Sequence, residues 1–244
     1  MKTVALIPAR FGATRFPAKL LADLRGKPLI ARTYLSTLDT GVFDEVMVVT
    51  DHQDIADAIQ REGGKVFISK KEHESGSDRI AEAAASLDAE LIVNVQGDEP
   101  FQDRKSLSDL VAVFQDDQVQ VASLMTPISG DDLIQNPNIV KVVTDAQNFS
   151  LYFSRSPIPF QRNDDSQPNY FRHIGIYAYK KSLLMKFTGW EKSALEKVEM
   201  LEQLRLLENG YQVKMVETTH QAVAIDVPED LERALRYYDA SNKP

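Results

Sequence analysis

Residues 46–68 read VMVVTDHQDIADAIQREGGKVFI. An apolar run, Val46-Met47-Val48-Val49, ends at Thr50, and Asp51 stands where a helix N-cap belongs. A helical pattern continues to about Arg61, Gly63-Gly64 breaks it, and Val66-Phe67-Ile68 opens a second apolar run. Both runs are nearly continuous rather than alternating, as expected of strands covered on both faces. Strand, helix, strand in this order predicts two parallel strands joined by a crossover helix.

The same grammar extends in both directions. Val4-Ala5-Leu6-Ile7 precedes a long loop and a helical stretch from Pro28 to about Leu38. A helical segment from about Gly76 to Leu87 leads into Leu91-Ile92-Val93-Asn94-Val95. The expected fold class is therefore α/β, a mostly parallel sheet with helices on both sides. The second half is less regular. Val121 to Thr126 and Ile139 to Thr144 read as strands separated by an Asn136-Pro137-Asn138 turn. Leu151-Tyr152-Phe153 and Ile174-Gly175-Ile176-Tyr177 flank a proline-containing stretch, Ser156 to Asn169, that reads as an irregular loop or arm. One strong helix is expected from about Ala194 to Glu208, stopping at Asn209-Gly210, and a last one from Pro228 to Tyr238. Apolar Ala222-Val-Ala-Ile225 reads as a strand ending at Asp226.

Composition narrows the function. The 244 residues include no cysteine, which excludes disulfides, thiolate catalysis and cysteine-ligated metals. A net charge of -8 without a long basic run argues against a nucleic-acid partner. No apolar stretch approaches the roughly 20 residues of a spanning helix. Arg10 follows the first apolar run directly and leaves no room for a signal peptide, so a soluble, cytoplasmic protein without a membrane partner is expected.

Chemistry concentrates where strands end, which is where open parallel sheets bind ligands. Pro8-Ala-Arg-Phe-Gly-Ala-Thr-Arg-Phe-Pro-Ala-Lys19 supplies Arg10, Arg15 and Lys19 with small residues Ala9, Gly12 and Ala13, a combination suited to a triphosphate; a solvated basic loop is the alternative. It is neither a Walker A loop nor a GxGxxG fingerprint. In Asn94-Val-Gln96-Gly-Asp98-Glu-Pro100, Asp98 can hold Mg²⁺ beside phosphate oxygens, or cap a turn. Asp226 has the same choice between a metal and a helix N-terminus. Two acids at strand ends together with the basic loop favour a metal–triphosphate site. Ser75-Gly76-Ser77-Asp78-Arg79 opens a helix whose hydroxyls and N–H groups could read a base or sugar, or simply cap it. His52, His73, His173 and His220 form no local metal pair, His52 reads as a surface residue, and Glu199 as a solvated one. No GxSxG elbow is present.

Taken together, IPARFGATRFPAK, VVTDHQDIA, HESGSDRIAE, VNVQGDEP, NPNIVKVV, LYFSRSPIP, FRHIGIYAY, LEKVEMLEQLRLLENG and DVPEDLERA make the chain resemble the 3-deoxy-manno-octulosonate cytidylyltransferases over its whole length. The first block is shared with nucleotidyltransferases for other sugars; LYFSRSPIP, RHIGIYAY and LEQLR are more specific. Gly12-Ala13 and Ala18 replace other small residues in the phosphate loop.

The resemblance implies transfer of CMP from CTP to the sugar acid Kdo for lipopolysaccharide synthesis, with Mg²⁺, on a Rossmann-like nucleotidyltransferase fold with a dimerisation arm, in a homodimer. It implies one domain over 1–244, with a nucleotide-binding part at about 1–130 and a sugar-binding and dimerisation part at about 131–244. Arg10, Arg15 and Lys19 would clamp the triphosphate with Ala9 at its backbone, and Ser75, Gly76, Asp78 and Gln96 would surround the cytidine. Asp98 and Asp226 would hold the metal, forming with Arg10 and Lys19 the catalytic set. Arg155, His173, Tyr177, Glu202 and Gln203 would line the sugar-acid pocket; for Arg155 an ion pair at the dimer interface is the alternative. The same chemistry on sialic acid or an amino-substituted Kdo, or a nucleotide-binding regulator without catalysis, are the competing readings.

Overall fold

The computed structural model describes residues 1–12, 16–163, 168–220 and 223–241. Its contacts divide the chain into two units, Met1–Leu107 with Gln221–Pro244, and Ser108–His220.

In the first unit, β1 (Thr3–Ala9), α1 (Leu29–Asp39), β2 (Glu45–Thr50), α2 (Gln53–Arg61), β3 (Lys65–Ile68), α3 (Gly76–Ala85) and β4 (Leu91–Asn94) follow one another as the sequence pattern predicts. These strands pair parallel with one another: β1 lies between β2 and β4, and β3 flanks β2. Val4 to Ile7 and Leu91 to Val93 are fully buried, which explains their unbroken apolar runs. Pro28 occupies the N-cap of α1, where its missing N–H costs nothing. Each glycine of the Gly63-Gly64 pair has its own task. Gly63 takes a φ of 72°, and a Cβ on Gly64 would lie 2.5 Å from Ile59 Cγ2 and 2.9 Å from the Tyr34 ring. One expectation shifts: the N-cap of α2 is His52, and the Asp51 carboxylate bonds to Arg79 instead.

α4 (Arg104–Ala112) carries the boundary between the units. In the second, β5 (Val121–Ile128) leads through α5 (Asp131–Ile134) to the hairpin of β6 (Lys141–Thr144) and β7 (Ser150–Ser154). The Asp145 carboxylate accepts from the N–H groups of Gln147 and Phe149 and so shapes that turn. β8 (Tyr170–Lys180) pairs antiparallel with β5 and β6, starting earlier than the sequence suggests. α6 (Lys181–Phe187), α7 (Ala194–Glu199) and α8 (Leu204–Glu208) follow, then β9 (Lys214–Glu217), parallel to β5.

The single helix expected over Ala194 to Glu208 is two. Met200 adopts a left-handed φ of 53° that ends α7, and Leu201 to Gln203 form a turn before α8. Periodicity conceals this break because apolar residues continue through it, although Leu195 and Val198 before it are exposed and Leu201, Leu204 and Leu206 after it are buried. The chain returns to the first unit for α9 (Pro228–Ser241). The strand expected before Asp226 is absent among the described residues: 223–225 form none, and Ala222 lies outside them. Among the described residues, the Ile225 N–H donates to the Asp98 carbonyl at 3.1 Å and Arg233 Nη2 donates to the Ala224 carbonyl at 3.3 Å.

Candidate active site

In the first unit a cavity of about 400 Å³ opens at the C-terminal ends of β1 and β4. Ala9, Arg10, Lys19, Ser75, Gly76, Gln96, Asp98 and Asp226, all expected at the site from sequence, line it. Arg15 lies outside the described residues. Asp78 is not among the lining residues; it works through its backbone, whose N–H donates to the Ser75 hydroxyl at 3.1 Å and caps α3.

Close approach of β1 to the neighbouring loops makes the cavity possible. A Cβ on Gly97 would sit 3.1 Å from the Pro8 carbonyl oxygen and 3.3 Å from Ile30 Cδ1, while the Gly97 carbonyl accepts from the buried Thr33 hydroxyl at 2.9 Å. A side chain immediately before Asp98 would press on that carbonyl and on Ile30.

The two acids meet at one cation. Lys19 Nζ donates to Asp98 Oδ2 at 2.7 Å and to Asp226 Oδ1 at 3.5 Å, so carboxylates more than a hundred residues apart share one ammonium group. The N–H groups of Asp226 and Val227 are taken by Asp230 within the first turn of α9, and the Asp226 carboxylate faces Lys19. Among the described residues no group of three or more acidic or histidine side chains is poised for a metal. Two carboxylates around one cation still fit a hard divalent ion that completes its shell with phosphate oxygens and water.

Two residues of this cavity, Arg79 and His73, and one outside its lining, His52, escape the sequence reading. Arg79 is 5% exposed and donates to Asp51 Oδ2 at 2.7 Å. His73 Nε2 lies 2.7 Å from Glu82 Oε2, and that hydrogen bond first, against the opposing pull of burial, holds the Glu82 carboxyl below its ordinary range. His52, expected on the surface, stacks face to face on Phe11 at 3.8 Å. The signal available for Arg79 was its spacing, one helical turn beyond Ser75.

In the second unit the structure brings most of the expected sugar-pocket residues together. β8 bulges opposite Ser123–Leu124, and the bulge carbonyls of Ile174 and Ile176 lie 3.0 and 2.8 Å from the Ser123 hydroxyl oxygen. With the single hydroxyl proton directed to them, neutral His173 donates from Nε2 to Ser123 Oγ at 2.9 Å. The His173 ring contacts Phe153 and Tyr177, each at 5.2 Å. Desolvation, then the Arg172 charge, push His173 down to about 3. Burial first, with Tyr179 and Glu202 nearby, raises the Tyr177 phenol well above its ordinary range. Gln203 is buried beside Glu202, whose Oε1 lies 3.8 Å from Arg205 Nη2. Arg205 in turn clasps Glu196 through two bonds of 2.7 and 2.6 Å.

Arg155 is engaged with the chain itself. Its guanidinium donates to the carbonyls of Glu199 (2.8 Å), Pro137 (2.9 Å) and Met200 (3.4 Å). Glu199, expected to be solvated, instead accepts from the Ser154 hydroxyl at 2.6 Å and the Arg155 N–H at 2.9 Å. Lys141, fully buried, closes the knot with bonds to the Asn136, Ile139 and Arg155 carbonyls.

Comparison with known proteins follows the same lines. A family profile described as Cytidylyltransferase matches residues 4–220. A 3-deoxy-manno-octulosonate cytidylyltransferase of Flavobacterium johnsoniae is 54% identical over 96% of this chain and 97% of its own. One from Chloroherpeton thalassium is 46% identical over 95% of each. A solved CMP:2-keto-3-deoxy-manno-octonic acid synthetase complexed with CTP superposes with a TM-score of 0.94 at 36% identity, covering 99% of this chain and 100% of that one.

Proposed function

The chain belongs to the cytidylyltransferases, in the 3-deoxy-manno-octulosonate family, and from that premise we propose that it transfers CMP from CTP to 3-deoxy-manno-octulosonate (Kdo), releasing pyrophosphate. The observation that carries this reading is the Asp98–Lys19–Asp226 cluster on the wall of a cavity that Arg10 and the start of α3 also line.

In this mechanism the anomeric hydroxyl of Kdo attacks the α-phosphorus of CTP, in line with the departing pyrophosphate. Arg10 and Lys19 hold the triphosphate and stabilise the charge that develops on the leaving group. Ser75 and Gly76 present a hydroxyl and a helix N-terminus to the nucleoside, with Gln96 offering an amide. Asp98 and Asp226 would hold a divalent cation, in this reading Mg²⁺, whose chemistry is to acidify the attacking hydroxyl and screen phosphate charge. Lys19 then shifts from the two acids to phosphate oxygens. No histidine base is needed: His173 is held neutral as a donor to Ser123.

Glu202, Gln203, Tyr177 and His173 would supply the acceptors and donors that a polyhydroxylated sugar acid needs. Arg155 would meet the sugar carboxylate only by giving up carbonyl bonds it now makes. The first unit would thus serve the nucleotide and the second the sugar acid. A homodimer fits the second unit's exposed apolar side chains, Val198 (81%), Met200 (76%) and Phe160 (85%) among them. Among the described residues no helix is long and apolar enough to cross a membrane, in keeping with a cytoplasmic enzyme that supplies lipopolysaccharide synthesis.

Pyrophosphate release from CTP, assayed with Kdo, sialic acid and an amino-substituted Kdo in turn, tests the assignment. Kdo is expected to give the highest kcat/KM; equal turnover with sialic acid would overturn the substrate, and no turnover with any of them the enzyme.

A further inference from the structure

Arg10 and Lys19 share one task, yet only one of them is held in place by side chains. Lys19 sits between two carboxylates. Arg10 is exposed and makes no hydrogen bond or ion pair with a described residue. It also borders two spaces, the nucleotide cavity and a neighbouring cavity of about 590 Å³. Without a side-chain partner, the aim of its guanidinium rests on the backbone at either side of it.

Before Arg10, the sheet fixes that backbone. Ala9 ends β1 and pairs with Thr50, the last residue of β2. After Arg10, the fixing contact is aromatic. Phe11 and His52 each stand two residues beyond that last pair, and their rings stack at 3.8 Å with 6° between their planes. The stack thus carries the pairing of β1 with β2 past the ends of both strands. His52 is anchored independently of Phe11. Its N–H donates to the Thr50 hydroxyl at 3.2 Å, its carbonyl accepts from the Ala56 N–H at 3.2 Å, and it occupies the N-cap of α2. Phe11 and His52 are both absent from the lining of the nucleotide cavity, so they act at one remove from a ligand there.

Resting on the CTP reading, we propose that Phe11 is a positioning residue: stacked on His52, it holds the chain so that Arg10 is aimed at the triphosphate. A charge-stabilising group works only where the charge develops, so small displacements of it are costly. Stacked rings contribute attraction beyond the area they bury, which an aliphatic side chain of similar size does not supply.

The test measures the affinity of the whole enzyme for CTP with Mg²⁺ by calorimetry, so that variants too slow to assay still report, with pyrophosphate release in the presence of Kdo beside it. Phe11→Leu should weaken CTP binding about 10-fold, the scale of a sub-ångström misplacement. His52→Ala should match it, and the two together should lose no more than either alone. Phe11→Tyr, which keeps the ring, should restore native affinity to within about two-fold. The KM for Kdo should hold throughout. The deciding comparison is made in an Arg10→Ala background, where Phe11→Leu should cost nothing further because its effect runs through Arg10. An equal loss in both backgrounds, or native affinity in Phe11→Leu, would overturn the proposal. If Phe11→Leu fails to fold, His52→Ala in the same two backgrounds decides in the same way. A native enzyme that binds no CTP would sink the parent reading and this one with it, whereas native CTP binding that ignores Phe11→Leu sinks this one alone.

Discussion

Lys19 and Lys141 each tie distant segments together, and they do it with opposite chemistry. Lys19, 13% exposed at its side chain, is shared between two carboxylates, one tight at 2.7 Å and one loose at 3.5 Å. Lys141 is fully buried and meets three neutral carbonyls at 2.9, 2.6 and 2.6 Å. An ammonium group has three protons to give, and Lys141 gives each to backbone. That arrangement can only be lost, not exchanged. Two acids around Lys19 can instead pass to another cation while the lysine passes to an anion. A functional cluster differs from a structural one in having partners that a ligand can replace.

Four substitutions sharpen or break this contrast. Asp98→Ala should have the largest effect on turnover, a loss of about 1,000-fold or more, equivalent to roughly 4 kcal/mol of barrier. Its thermal midpoint should stay within a few degrees of native, and near-normal turnover at saturating Mg²⁺ would remove the acid from the mechanism. Lys19→Ala should lower kcat about 100-fold, in the range of a lost electrostatic donor. Its KM for Kdo should hold; a change confined to Kdo affinity would contradict a leaving-group role. Lys141→Met should do the reverse of both. Three partly buried carbonyls lose their donor, so urea unfolding should show a loss of about 2–3 kcal/mol. Residual turnover per folded molecule should remain within a few-fold of native.

The last effect is a pH slope, which leaves stability near neutral pH almost untouched. His173 titrates near 3 in the folded chain, below the 6.5 of an exposed imidazole. Between those values the unfolded chain binds a proton that the folded chain refuses. Stability therefore falls as pH drops from about 6.5 toward 3, by up to about 1.4 kcal/mol per pH unit from this group. Urea titrations of His173→Asn should show a shallower acid slope; an identical slope would mean that the imidazole is not held neutral by burial.

Legibility of the sequence divides along the same contrast. The strands of the first unit could be read because Val4 to Ile7 and Leu91 to Val93 are buried on both faces, a condition that leaves unbroken apolar runs. Asp98, Lys19 and Arg10 could be read because they follow such runs directly. What could not be read was anything set by tertiary contact. Met200 ends a helix by a left-handed turn inside an apolar pattern that continues past it. Glu199, Arg79 and Lys141 are charged residues that look solvent-facing in a string of letters. Each is instead held by a group from a distant part of the chain: Ser154, Asp51 and the Arg155 carbonyl. Asp226 was placed at the site for a reason that fails, since no strand precedes it among the described residues; a backbone bond from Ile225 to Asp98 does that work.

The convergence of Asp98 and Asp226 is tested most directly by a crystal structure with CTP and Mn²⁺, the ion located by its anomalous signal. Both carboxylates should ligate one ion at about 2.2 Å, as hard-cation coordination requires, with Lys19 moved to a phosphate oxygen. An ion bound by neither acid, or by Asp98 alone with Asp226 still on Lys19, would contradict the account.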